Sequence, residues 1–481
     1  MDGNDVFKNI GINNFKGFSQ PQRIRLAPVT LIYGPNSSGK SSIIQALMLL
    51  KQSITRPSEN GGLVSTGEYI DLGTFSSLMN RHNTQNDLEF SVEYSPLKKI
   101  SAEERTHFGD SHNRIHEFTY SLSTGENGHK NEEFTYLKKI TTKIITEGNN
   151  KSLFRLSMQS TLSDKIQTSL IRRSIAARTY DFGDIDSSDS FCNFVSRKAG
   201  VTGFDSNPIR KLINNIAFKS DPNFCTPSSI IIGENKKDVD NVAFAVCNQT
   251  ISEIATELQD KFGTIAYLGP LRLHPARLYV PKGDQSGSVG KAGENAARLI
   301  YEKSPGMSDE INRWFREFDI PYTLSAENIG NDIAGSVVSL QLKDLRTGVA
   351  VGPSDVGFGI GQLLPILVEG LVRKNSSICV EQPEIHLHPR LQASLANFIV
   401  ETSKENQWII ETHSESLILR LQNKIKEGAI APKDISVIYV EATSRGSKVL
   451  EIPLDKDGDF MVDWPDGFFE ERLKELFGNK S

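Results

Sequence analysis

The apolar and polar positions of this chain change period several times, and each change predicts an element. Over residues 8–54 the stretch KNIGINNFKGFSQPQRIRLAPVTLIY…KQSI alternates apolar and polar residues twice, then enters the wholly apolar VTLIY. Alternation at period two predicts half-buried strands, and an unbroken apolar run predicts a strand covered on both faces. Beyond a Gly/Ser loop, Ile43, Ile44, Leu47 and Leu50 recur at spacings of three and four, which predicts a helix with one core-facing side.

From about Asp87 to Met158 the short runs LEFSVEY, HEFTYSLS, EFTYLKKITTKIIT and SLFRLSM are separated by Gly, Asn and Ser clusters, predicting an antiparallel meander. Residues 163–262 read as helical and loop-rich: DKIQTSLIRRSIAARTY as a helix with a basic face (Arg172, Arg173, Arg178) and QTISEIATELQDKF as an amphipathic helix. The basic face is read either as solvated or as a surface for nucleic acid or a partner, and Arg272 and Arg277 in GPLRLHPARLY as nucleotide or inter-head contacts. TIAYLGPLR then returns the chain to the core, PKGDQSGSVGKAGENAARLIY is a Gly-rich loop before a helix, and GSVVSLQLKDLRTGVAV has hairpin character. The remainder alternates: a helix in DVGFGIGQLLPILVEGLVRK, the strand SSICVEQPE, a helix from about Pro389 to Ser403, the strand WIIETHS, the helix ESLILRLQNKI and the strand ISVIYVE. Such alternation predicts an α/β protein with a mostly parallel core sheet, to which an antiparallel β lobe and a helical insertion are added.

Composition narrows the class. With 481 residues, 38% hydrophobic, 23% charged and a net charge of -5, the chain reads as an ordinary globular protein of two to three units, so any nucleic-acid surface must be local. Cys192, Cys225, Cys247 and Cys379 show no CxxC pairing, and Cys379 falls inside a buried strand, which argues against a disulfide frame or zinc ribbon. The N-terminus has no signal pattern and no stretch approaches the ~20 apolar residues that span a bilayer, so the expectation is a cytoplasmic protein without a membrane partner.

The chemistry concentrates in four motifs. Gly34-Pro-Asn-Ser-Ser-Gly-Lys40-Ser41 fits GxxxxGK(S/T) between a predicted strand and a predicted helix, the context a phosphate loop needs. Its cradle for ATP is Asn36, Ser37, Ser38, Gly39, Lys40, Ser41 and Ser42: backbone amides curl around phosphate, Lys40 reaches the β and γ phosphates, and Ser41 offers its hydroxyl to Mg²⁺. A Gly/Ser turn with a chance lysine is the alternative. The apolar ICV run ends in Glu381, a carboxylate for Mg²⁺, with Gln382 and Glu384 close behind. WIIETHS ends in Thr412-His413, where α/β sheets open onto ligands, so His413 is a candidate γ-phosphate partner; a solvent-facing turn histidine is the other reading. In DVGFGIGQ, Gly359, Gly361 and Gln362 open an apolar helix whose amides make an anion site, useful when presented to a nucleotide held by another copy; glycines needed only for backbone turns are the alternative.

Together these parts resemble the ABC-type ATPase heads of the SMC and Rad50 class and, more closely, the single-chain AAA15 or OLD-like ATPases of bacterial defence. The resemblance rests on INNFKGF, the Walker A GPNSSGKSS, a degenerate signature GFGIGQ, the Walker B and D-loop ICVEQPEIHLHP and the switch histidine in IIETHS, and covers roughly the first 80 and last 160 residues. It implies a two-part head, residues 1–95 with Walker A and 263–445 with signature, Walker B, D-loop and switch histidine, interrupted by a β lobe (96–162) and a helical insertion (163–262) and followed by a small tail module (446–481). It also implies two heads sandwiching ATP, with Gly359, Gly361 and Gln362 acting in trans and His386, Leu387 and His388 forming the D-loop. The branch it points to is anti-phage immunity, Septu-like or PARIS-like, with a separately encoded effector nuclease as partner. The roughly 40 residues after Val440 leave no room for a Toprim nuclease domain. Competing expectations are a RecF/Rad50-like ATPase acting directly on DNA, a non-catalytic ATP-holding scaffold and a transporter ATPase.

Three departures from the family pattern matter. The signature lacks its serine unless Ser354 approaches, only Gln85 stands near the place of a Q-loop glutamine, and Gln382 occupies the position of the glutamate that polarises the attacking water. An amide orients water without accepting its proton, so hydrolysis is expected to be slow, with Glu384 or His413 sharing the task. Asp455, Asp457 and Asp459 in DKDGD read as a turn rather than a calcium loop, because Phe460 stands where an EF-hand needs glycine.

Overall fold

The computed structural model describes residues 7–56, 62–96, 112–123, 134–146, 152–167, 170–181, 216–218, 230–232, 254–280, 287–331, 333 and 335–465. Its strands form three sheets. The central one takes β3 (Val29–Tyr33), β11 (Ile265–Leu268), β15 (Ser377–Glu381), β16 (Gln407–Glu411), β17 (Ile435–Thr443) and β18 (Gly446–Glu451) in the order β11-β15-β16-β3-β17-β18. All neighbours are parallel except the β17–β18 hairpin at one edge. This is the expected mostly parallel core. β3, β11, β15 and β16 are buried at every position, as strands with both faces covered must be, and their apolar runs satisfy that condition.

The two faces serve different cores. Ile32, Cys379, Ile409 and Ile438 face α1 (Lys40–Thr55), whose Ile43, Ile44 and Leu47 are fully buried, and the antiparallel lobe behind it. Leu31, Val380, Ile410 and Val437 face the helices α3 (Ala296–Glu302), α4 (Gly306–Glu317), α5 (Phe358–Val372), α6 (Pro389–Thr402) and α7 (Glu415–Lys426). A further helix, α2, spans 254–263 and buries Ala255, Leu258 and Phe262, the apolar face read in QTISEIATELQDKF. A three-stranded sheet of β12 (Tyr322–Asn328), β13 (Val338–Asp344) and β14 (Ala350–Val351) includes the hairpin read in GSVVSLQLKDLRTGVAV.

The lobe is larger than the span 96–162. Its nine antiparallel strands run β10-β9-β8-β7-β6-β5-β4-β1-β2, where β1 is Phe7–Asn13, β2 Gln22–Arg25, β4 Leu88–Tyr94, β5 His112–Ser123, β6 Phe134–Thr146, β7 Ser152–Gln167, β8 Leu170–Asp181, β9 Ile216–Phe218 and β10 Ile230–Ile232. Residues 164–167 and 170–180, expected as parts of a basic-faced helix, belong instead to the paired strands β7 and β8, with Gln167 opposite Leu170. The reason is backbone pairing: a hairpin continuing from β6 fills the ladder that β6 would otherwise present to solvent, whereas a lone helix there would leave it open. Cys192, Cys225 and Cys247 lie outside the described residues.

A buried glutamine is among the side chains that join the two sheets. Gln407, in β16, accepts from Phe7 N (3.0 Å) and Ser377 Oγ (2.8 Å) and donates to Phe7 O (2.7 Å) and Ala27 O (3.1 Å), and it is buried. Lys51 does similar work from α1, donating to the carbonyls of Phe262, Gly263 and Ile265 at 3.1, 3.3 and 2.7 Å; burial lowers its pKa to about 8. Among the described residues no helix is long and apolar enough to cross a membrane.

Candidate active site

The phosphate loop bridges β3 and α1 and depends on backbone conformations that side chains resist. Gly34 and Gly39 have φ of 144° and 104°, and Ser37 sits at 62°. A Cβ on Gly34 would stand 2.3 Å from the Val440 carbonyl oxygen of β17, so the loop can lie flat on the sheet only with glycine there. Behind it, the β17–β18 hairpin braces the loop: Ser447 Oγ donates to Ser38 O at 2.6 Å. No side chain caps α1 and its first turn carries no acid, so the positive end of the helix faces the loop's concavity. Lys40, 5% exposed, points inward and donates to Pro35 O at 2.7 Å. Burial lowers its pKa, and the carboxylates of Glu411 and Glu384 oppose that shift.

Two buried carboxylates face the loop from adjacent strand ends. Glu381 closes β15 and Glu411 closes β16, and the two are register partners. Glu381 accepts from the Tyr267 hydroxyl at 2.9 Å, while Ser41 Oγ donates to Glu411 Oε1 at 3.0 Å. Burial, aided by Glu411, pushes Glu381 up to about 7, and burial also raises Glu411. Glu411 Oε2 and Ser38 Oγ are buried without a hydrogen-bond partner among the described residues. Two close acids whose charges repel, beside a serine hydroxyl, form an oxygen-rich donor set of the kind that suits a hard divalent cation, and Mg²⁺ fits it. The sequence pointed to Glu381 and passed over Glu411. Its signal was available: WIIE ends in the same manner as ICVE, an apolar run closed by one carboxylate.

The residues after Glu381 turn sharply. Gln382 has φ 46° and its amide donates to Glu411 O at 2.7 Å, so it begins the turn at the level of the neighbouring strand's tip. Glu384 is fully engaged: Oε2 accepts from Thr412 Oγ1 and Oε1 from His413 N, both at 2.7 Å. It clamps the end of β16. His413 is half-buried; burial and then the nearby Lys40 charge lower its pKa, which favours the neutral ring. His386 and His388 are exposed on the following turn, and His388 Nδ1 accepts from Arg390 N at 3.3 Å as the cap of α6.

The glycines of GFGIGQ form the first turns of α5, beginning after Gly357. Gly359 lies against the His386 carbonyl, 3.1 Å from where its Cβ would be. Gly361 packs on Pro275, and Gln362, 5% exposed, has its Nε2 3.5 Å from Arg272 O. The fold thus brings the signature next to the segment 269–277, which covers Gly361 and Gln362 with the chain's own residues. That segment also delivers Arg272, whose Nη2 donates to Glu381 O at 2.9 Å. Lys16 of INNFKGF donates to Gln45 Oε1 at 2.6 Å and favours the ionised form of Glu381. Gln85 is exposed on the turn before β4, and Asp455 accepts from the amides of Asp457 and Asp459 at 2.9 Å each, a turn as expected.

Residues 7–418 match the family model described as AAA ATPase domain, and residues 430–477 match one described as a protein of unknown function (DUF3696). Among solved structures the chain is similar to an Smc head bound to the C-winged helix domain of ScpA, with 11% identity over 94% of this chain and 98% of that one and a TM-score of 0.41. It is similar as well to an Smc head with an extended coiled coil bound to the C-terminal domain of ScpA from Pyrococcus furiosus, with 12% identity, 98% of each chain covered and a TM-score of 0.40. The SMC head domain from Thermotoga maritima gives 10% identity over 93% of this chain and 99% of that one, with a TM-score of 0.36. No curated protein matches the chain.

Proposed function

We propose that this chain, which belongs to the AAA ATPase domain family, works as an ATP-holding switch: it binds MgATP, hydrolyses it slowly, associates with further copies while ATP is bound, and in that state controls a separately encoded effector nuclease in anti-phage defence. The observation that carries the nucleotide reading is the convergence of Lys40, Ser41, Glu381, Glu411 and His413 at the C-terminal ends of β3, β15 and β16, the edge where parallel sheets bind ligands.

Ser41, Glu381 and Glu411 would hold Mg²⁺, which would supply positive charge to the phosphate oxygens. The remaining work belongs to the chain. The loop amides and Lys40 bind the phosphates, and Glu384 fixes residues 412–413 so that the neutral His413 ring keeps its place. Gln382 orients water through its amide and cannot take the proton, which supports slow turnover and a long-lived ATP state. Association is supported by Gly357 and Gly359, the accessible beginning of α5, whose amides suit an anion presented by another copy.

Equilibrium binding of labelled ATP, phosphate release and sedimentation with and without nucleotide test the proposal. Lys40→Ala is expected to abolish all three nucleotide-dependent signals, and a purified wild-type chain that binds no nucleotide sinks the proposal. Co-expression with neighbouring nuclease genes during phage challenge tests the effector role; protection that survives Lys40→Ala removes ATP from it.

A further inference from the structure

Arg272 is 7% exposed, yet only its Nη2 is used, on the Glu381 carbonyl oxygen. Nε and Nη1 are buried and have no hydrogen-bond partner among the described residues. A guanidinium carries five donors in a rigid fork, and leaving two of its nitrogens unmet in a buried place is costly unless something else meets them. Its neighbours say what kind of group that is. The carboxylates of Glu384 and Glu381 act on Arg272, and Glu384, with Glu411, acts on Lys40 as well, so the guanidinium shares its acidic neighbourhood with the phosphate-loop lysine. The side chain is also aimed by the fold, because Gly269 N donates to Lys291 O and Leu273 N to Ala292 O, each at 2.9 Å, fixing the backbone on both sides of it.

We infer that Arg272 is a γ-phosphate ligand supplied in cis: Nη2 spends one hydrogen on Glu381 O, and its other hydrogen, paired with the unmet Nε or Nη1, forms the fork that binds the terminal phosphate of ATP, so that the site distinguishes ATP from ADP. This rests on the nucleotide reading of the same site. A planar fork binds phosphate oxygens two at a time, which Lys40, a point charge, does not. The residue also reports what it binds: its own carbonyl lies beside Gln362 Nε2, and Leu271 and Leu273 on either side of it are 84% and 56% exposed. A purely mechanical strut joining the ends of β11 and β15 is the competing account, and it predicts no preference between nucleotides.

The test is calorimetric titration of the full chain with ADP and with the non-hydrolysable analogue AMP-PNP, each with Mg²⁺, for wild type, Arg272→Lys, Arg272→Gln and Lys40→Ala. The expected result is a loss of AMP-PNP affinity of about 10- to 100-fold in Arg272→Gln, partial recovery in Arg272→Lys, and ADP affinity within about twofold of wild type in both. Equal weakening of both nucleotides, or no change in either, overturns the inference while leaving the nucleotide site standing. Failure of the wild type to bind either nucleotide overturns both readings. Should Arg272→Gln not fold, Arg272→Lys alone decides, since loss of the fork must still weaken AMP-PNP more than ADP.

Discussion

Replacing Gln382 by glutamate asks whether this position limits turnover. The substitution adds a proton acceptor at the turn after β15, and a positioned general base contributes about 10²- to 10⁴-fold to rate, or about 3–5 kcal/mol of barrier. The same charge enters a crowded place. Glu381 already sits at about 7 instead of 4.5, a shift worth about 3 kcal/mol against its ionised form. One more carboxylate within about 5–6 Å interacts at about 3 kcal/mol with an effective dielectric of 20, and partial exposure of the half-buried Gln382 position brings this to about 1–2 kcal/mol. Gln382→Glu is therefore expected to destabilise the nucleotide-free protein by about 1–2 kcal/mol, to regain that loss when MgATP is added, and to raise single-turnover phosphate release by about 100-fold or more. Thermal denaturation with and without MgATP and rapid-quench phosphate release measure the two halves. A release rate within threefold of wild type, together with abolition of turnover by Glu384→Gln, would refute the assignment and move the base to Glu384.

Two further outcomes follow from geometry and burial. Gly34→Ala must put a methyl 2.3 Å from the Val440 oxygen at a φ of 144°, so it should cost about 2–4 kcal/mol in urea unfolding and weaken ATP binding at least tenfold; an unchanged midpoint contradicts the described loop. His116 is fully buried between Tyr94 OH and Thr142 Oγ1, 2.9 Å from each, and burial, then Arg114, lowers it to about 3. Its folded pKa lies below the unfolded value, so the unfolded chain binds the extra proton and stability is lost as pH falls below about 6.5, by about 1.4 kcal/mol per pH unit. The stability difference between wild type and His116→Phe should drift by that slope between pH 6 and 4, against the wild type; a constant difference shows that His116 is not held neutral.

The parts legible in the sequence were those whose meaning is local. A phosphate loop is eight consecutive residues between a strand and a helix, and VTLIY, SSICVE and WIIE announce buried parallel strands by length and apolarity alone. The β7–β8 hairpin was hidden for a reason of length: strands of 16 and 12 residues exceed the usual five or six, and DKIQTSLIRRSIAARTY reads instead as a basic-faced helix. Glu411 carries the same local signal as Glu381, an apolar run closed by one carboxylate, but its partner Ser41 is 370 positions away, so its place in the site shows only in the fold. Arg272 and Gln362 are each singled out by the sequence, and only their closeness to one another carried a different difficulty. Their proximity arises only when β11 docks beside β15, a contact that no periodicity encodes.

Gln407 ties residues that lie 400 positions apart, and this has a consequence for how the molecule comes undone. Peeling β1 away from the parallel sheet would strand the buried amide and carbonyl of Phe7 in one step, while Gln407 kept Ser377 Oγ and Ala27 O. Fraying from the first strand is therefore blocked. In hydrogen exchange, the amides of β1 and of β16 should open together as one cooperative block at the same free energy, rather than releasing the lobe first and the nucleotide-binding sheet later.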